Sequence, residues 1–257
     1  PKADVFLDPW RPVPRAIITH GHADHARPGH EAYLAHPHTV AIMRHRLGEN
    51  TYESMNYGQY RVINGVRFSF HQAGHVLGSC QVRVEHKGQV AVFSGDYKLQ
   101  DDGISGTYEP VPCHQLITEC TFGLPIYRWP SIETQRQELN AWAEHNRQEG
   151  KSSIISAYSL GKAQRLLHML ETTQEIHVHG AIHHMTQIYR KAGIRLPETI
   201  YPSGRKKVKQ PVIVICPPSM LGSPWLNKFR PLSTAMASGW MNLRGPRRRR
   251  AVDKGLI

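Results

Sequence analysis

The sequence predicts an α/β protein in two parts: an early strand-rich half that carries clustered histidines, and a later half built on a parallel sheet. Three observations predict it. Short apolar runs recur before Ile132, several ending at glycine or at His and Asp. After Ile132 the pattern alternates strand, helix, strand, helix, an order that requires a parallel sheet with helices packed on it. No apolar run approaches a membrane span.

Taken in order, Ala16–Thr19 reads as a buried strand that ends at the histidines. Val66–His71 and Val82–Glu85 alternate like strands of a sheet with one wet face. Val90–Ser94 is another strand, ended by Gly95, and Leu116–Thr118 a further short one. Ile132–Arg147 reads as a helix, with Leu139 and Trp142 on one face. Ser153–Ala157, Ile176–Val178 and Val212–Cys216 then read as strands, separated by helices at Gly161–Leu170 and Ile182–Lys191.

The bulk numbers narrow the function classes. A chain of 257 residues can hold one large or two modest domains. Lys and Arg total 32 against 20 Asp and Glu, a net charge of +12. That sign favours polyanions such as nucleic acid, with plain solubility as the simpler reading. None of the four cysteines forms a C-x-x-C pair, which excludes a zinc ribbon or thioredoxin-like motif. No signal peptide opens the chain, which begins at Pro1 and not Met. The expectation is therefore a trimmed start and a cytoplasmic location.

With 17 histidines, metal is the first chemistry to test. His20-Gly21-His22-Ala23-Asp24-His25 packs imidazoles and a carboxylate directly behind a buried strand. These are ligand types that zinc and manganese accept. His20 and His22 would face one ion, and Asp24 and His25 a second. His75, in Ala73-Gly74-His75, and Asp96, in Ser94-Gly95-Asp96, also sit just past strands. They would supply a third nitrogen for the first ion and a carboxylate that bridges both. Such a bridge holds two ions on the order of 3.5–4 Å apart, as two-metal hydrolysis requires.

The order H-x-H-x-D-H, then a lone His, then an Asp resembles the metallo-β-lactamase superfamily. That resemblance implies an αββα-type sandwich and makes Asp8, in Phe6-Leu7-Asp8-Pro9, the residue that orients the metal loop. The segments 73–79, 117–123 and 159–167 further resemble the β-CASP nuclease branch. This implies Glu119 beside the metals and an inserted α/β domain over 132–257, with 1–131 as the lactamase portion. Asp8-Pro9-Trp10-Arg11-Pro12-Val13 and Ser238-Gly239-Trp240-Met241 with the following arginines are most similar to bacterial ligase-associated DNA exonucleases.

The resemblance implies two divalent ions, Zn2+ or Mn2+, that activate water for attack on a backbone phosphorus. Asp24, Asp96 and Glu119 would serve the catalysis. Lys162, Arg247 and Arg248 would hold substrate phosphates. DNA is the expected partner, with RNA as the alternative. An ATP-dependent DNA ligase and a helicase are functional associates, and no membrane is involved. The branch also has later histidines that this chain does not supply, so the returning C-terminal part of the lactamase domain is expected to be absent. An inactive, shortened nucleic-acid-binding protein therefore stands as a further alternative, as does an RNA-processing ribonuclease. A small-molecule hydrolase fits the charge and the later half less well.

Overall fold

The computed structural model describes residues 3–125, 127–202 and 207–238. The chain divides into two compact units, Pro1–Thr121 and Phe122–Ile257.

In the first unit, β1 (Phe6–Leu7), β2 (Arg15–Ile17) and β3 (Ala32–Ala35) are followed by α1 (Pro37–Leu47) and β4 (Tyr52–Ser54). These strands form one sheet in the order β1-β2-β3-β4, each neighbour parallel. Parallel neighbours need a crossover, and α1 supplies the one between β3 and β4. A second sheet follows in simple order: β5 (Tyr60–Ile63), β6 (Val66–Gln72), β7 (Cys80–His86), β8 (Gln89–Phe93) and β9 (Gln115–Ile117). The first four strands are antiparallel hairpins, while β9 lies parallel to β8. Asn64 and Gly65, both at positive φ, make the tight β5–β6 turn, the chemistry that two-residue hairpins favour.

The two sheets share a core. Ile17 and Leu34 of the first cluster with Phe68, Phe70 and Val82 of the second. The other face of the first sheet is covered by α1, through Val40 and Met43 against Ala16, Ile18, Tyr33 and Ala35. Phe70 is fully buried. Phe70→Ala is expected to cost about 3–5 kcal/mol, read as a lower midpoint in denaturant-induced unfolding.

The second unit opens with α2 (Ile132–Gln148), capped by Ser131, whose hydroxyl accepts from Thr134 N–H. Then come β10 (Ser152–Ser156), α3 (Lys162–Met169), β11 (Ile176–Val178), α4 (Gly180–Lys191), β12 (Ile213–Cys216) and β13 (Leu232–Met236). The sheet order is β11-β12-β10-β13, parallel throughout. Both faces are apolar, as a parallel sheet requires. Ile155, Ile213 and Ile215 pack with Leu166, Leu167 and Ile182 of α3 and α4. Ile154 and Val214 pack with Leu226 and Phe229. Among the described residues, no helix is long and apolar enough to cross a membrane.

Some boundaries differ from the sequence reading for identifiable reasons. β2 ends at Ile17 and not Thr19, because the Thr19 N–H leaves the ladder for the Asp8 carboxylate. α4 starts at Gly180 and not Ile182, because His179 caps it through Nδ1, which accepts from Ala181 N–H. The sequence reading also lacked β1, β3, β4, β5 and β13 as strands.

Candidate metal centre

The histidine segment lies in the loop after β2, His75 in the loop between β6 and β7, and Asp96 in the loop after β8. Each chain segment reaches the site from a different place in the first unit. His20 Nε2 lies 3.0 Å from His22 Nδ1, and His75 Nε2 lies 3.2 Å from the same nitrogen. Asp96 Oδ2 is 3.9 Å from His20 Nε2 and 3.6 Å from His75 Nε2. One donor atom from each of these four residues lies within 4.8 Å of every other. Three nitrogens and one carboxylate oxygen converging on one point fit a divalent cation of the zinc or manganese kind.

Local contacts fix the donors. Thr19 Oγ1 lies 3.1 Å from His20 Nδ1 and donates to Asp8 Oδ2 at 2.6 Å. Asp8 Oδ1 accepts from Thr19 N–H at 2.8 Å. Asp8 itself is buried and held at φ +41°, with its own N–H given to the Ile17 carbonyl. The His75 loop is tied by Ser79 Oγ, which accepts from the N–H groups of His75 and Val76. Gly95, at φ +55°, presses against Thr19: a Cβ there would lie 2.7 Å from the Thr19 side chain. A side chain at 95 would therefore push the Asp96 loop away from β2.

His25 stands on the far side of Asp96. Its Nε2 is 3.3 Å from Asp96 Oδ1 and its Nδ1 is 2.7 Å from Asp8 Oδ2. Asp24 Oδ2 is 3.9 Å from His25 Nε2, and the Asp24 side chain is 70% exposed. Asp96 thus turns one oxygen to the His20, His22 and His75 group and the other to His25. Electrostatics follow the same division. Burial keeps His20 well below the usual imidazole range, and burial with the neighbouring His22 charge brings His75 down to about 4. Burial also pulls on His25, but hydrogen bonds and charges from Asp8 and Asp96 raise it to about 10. Burial pushes Asp96 up, and His25 more than offsets it, so its carboxyl titrates low.

Among the described residues, Glu119 is not one of the four donors. Glu119 follows β9 and turns its carboxylate back onto the N–H of Thr121 at 2.7 Å. Lys162 opens α3 in the second unit, and burial lowers its ammonium. Its Nζ lies 5.8 Å from the Tyr158 ring centroid. Arg247, Arg248 and the Gly239-Trp240-Met241 segment lie outside the described residues. One contribution was missed in the sequence: Arg46 of α1 donates to the Gly21 carbonyl at 2.6 Å, which pins the metal loop to the helix.

No family model matches the chain. It is 29% identical over 261 residues to a probable DNA ligase of Opitutus terrae, covering all of this chain and 24% of that protein. It is 27% identical over 215 residues to an RNase J-like protein of Methanocaldococcus jannaschii, covering 69% of this chain and 50% of that protein. It is 31% identical over 121 residues to the Drosophila melanogaster cleavage and polyadenylation specificity factor 73, covering 46% of this chain and 17% of that protein. These relatives are named as a DNA ligase, an RNase J-like protein and a cleavage and polyadenylation factor. The chain spans no more than half the length of these relatives. In fold, it resembles a protein of unknown function from Enterococcus faecalis V583 known from its crystal structure. That likeness has a TM-score of 0.62 at 11% identity, over 94% of this chain and 67% of the other.

Proposed function

We propose that this chain hydrolyses phosphodiester bonds in nucleic acid using two divalent ions, Zn2+ or Mn2+, and that it is a DNA exonuclease of repair acting beside an ATP-dependent ligase. The observation that carries the proposal is the convergence of His20, His22, His75 and Asp96, with His25 across the same carboxylate. His20, His22, His75 and Asp96 would hold one ion; Asp24, His25 and Asp96 would hold the other, with His25 giving up the proton that Asp8 and Asp96 hold on it. When bound, the ions supply Lewis-acid charge and a water that is nucleophilic near neutral pH. Burial keeps His20 neutral, with a lone pair to offer, and Thr19 sets the direction of its ring. Asp8 holds Thr19 and His25 in place. Glu119 fixes the loop after β9 and serves as an orienting group beside the ions. Lys162, Arg247 and Arg248 take substrate phosphates. The strand-rich unit is read as the lactamase portion and the later unit as a β-CASP-like domain.

The +12 charge supports a polyanionic substrate. The Opitutus relative, named as a DNA ligase, supports DNA. The RNase J-like relative and the endoribonuclease of Mycosarcoma maydis, 26% identical over 207 residues, support RNA as the second reading.

The test incubates the chain with end-labelled linear and circular strands of DNA and RNA, in manganese or zinc. Linear DNA should shorten from its ends, circles should survive, and a chelator should stop the reaction. Cutting of circles with consumption of RNA alone would move the reading to a ribonuclease. Failure to hydrolyse any strand, with metal analysis showing filled sites, would end the nuclease reading.

A further inference from the structure

Trp10 follows Asp8 by two positions, and Arg27 follows His25 by two. Trp10 is 75% exposed, although an indole is ordinarily among the better-buried side chains. Its ring is covered by the Arg27 guanidinium, whose Cζ lies 4.1 Å from the ring centroid. Arg27 Nε donates to the Asp24 carbonyl at 3.1 Å. Among the described residues, the terminal guanidinium nitrogens of Arg27 make no hydrogen bond.

The pair is built on braced backbone. The Arg27 carbonyl accepts from the hydroxyl of the buried Tyr33, which in turn accepts from His30 N–H. Val13 N–H reaches His30 Nδ1 at 3.3 Å, so the loop of Trp10 and the loop of Arg27 are joined. Pro9 and Pro12 stiffen the first loop, and Arg11 beside Trp10 is exposed. An exposed cation–π pair is worth only about 0.5–1 kcal/mol, so it costs little to rearrange around a ligand. A flat π-face takes a base, and a fork of N–H donors takes a phosphate.

We infer that Trp10 and Arg27 form a nucleotide-binding rim on the loops that carry Asp8 and Asp24, with Trp10 stacking a base of a single strand and Arg27 binding a neighbouring phosphate. This rests on the nuclease reading. It assigns to the rim the placement of the strand beside the metal donors. Neither side chain reads a base edge or a 2′-hydroxyl, so the recognition is of single-stranded nucleic acid as such.

The test is binding of the full chain to fluorescent single strands of DNA and RNA of one sequence, with chelator present so that nothing is cut. Trp10→Ala should weaken binding by about 5- to 150-fold, the range for losing one stacked base. Trp10→Phe should recover most of it. Arg27→Ala should reduce the steepness of the salt dependence by about 0.7 in log–log slope, one phosphate contact on a single strand. Tryptophan emission should be quenched on binding in the wild type and less so in Trp10→Phe. Equal losses on both strands are expected, and a loss on one alone also supports the rim and names its substrate. Wild-type binding with Trp10→Ala unchanged overturns the rim while leaving the nuclease reading intact. No wild-type binding of either strand, together with no hydrolysis in the metal-supplemented assay, overturns both.

Discussion

Asp96→Ala is expected to abolish high-affinity binding of a divalent ion and all hydrolysis that depends on it. Asp96 is the one anionic member of the four-donor group, and both of its oxygens are engaged. Its removal leaves His20, His22 and His75 facing one another with no negative charge between them. Outer partners of metal ligands are worth roughly 10–100-fold in affinity or activity. A ligand shared by both ions should exceed that range. Isothermal titration with zinc and manganese reads the binding, and a labelled-strand assay reads the activity. The far-ultraviolet dichroism should be unchanged, because the shared core of the two sheets contains none of the donors. Retained stoichiometric binding in Asp96→Ala would remove the basis for the proposed centre.

Asp8→Ala is expected to have the second-largest effect, through two losses at once. One carboxylate serves Thr19 N–H, Thr19 Oγ1 and His25 Nδ1. Truncation strands the buried Thr19 N–H, at a cost of about 1–3 kcal/mol for an unsatisfied buried donor. It also frees His20 and His25 to turn. Metal affinity should fall roughly 10–100-fold, as for other outer partners. Asp8→Asn separates the two losses. The amide oxygen can still accept from Thr19, so stability should largely return while the charge that holds His25 does not. Denaturant unfolding gives the first quantity and metal titration the second. Equal metal affinity in all three proteins would sink the orienting role.

The four clustered residues stood out in the sequence because their types are chemically rare and they lie past ends of strands that the apolar pattern marks well. Val66–His71 and Val90–Ser94 read as strands, and the structure extends or trims them by a residue at the ends. The parallel sheet after Ile132 was legible for the same reason: its strands are buried on both faces and separated by amphipathic helices. β1 has only Phe6 and Leu7, too short to show any period. β13 reads Leu-Ser-Thr-Ala-Met, in which small polar residues blur the alternation. α1 is rich in His and Arg, so its apolar face of Val40, Ile42 and Met43 stands out poorly. The hydrogen bonds of Asp8 depend on a left-handed backbone that nothing in Asp-Pro announces. Trp10 over Arg27 is a pairing between two loops, and no local pattern encodes it.

The four donors come from loops after β2, after β6 and after β8, which are far apart in the chain. An ion seated there ties these distant turns as a cross-link would, yet reversibly. It binds only where the β6–β7–β8 hairpins and the parallel layer have already come together. The unfolded chain offers no such cage. By mass action, saturation at about a hundred times the dissociation constant deepens the native well by roughly 2.7 kcal/mol. With the proposed ion bound, the resistance of the first unit to heat would be coupled to the metal supply of its surroundings.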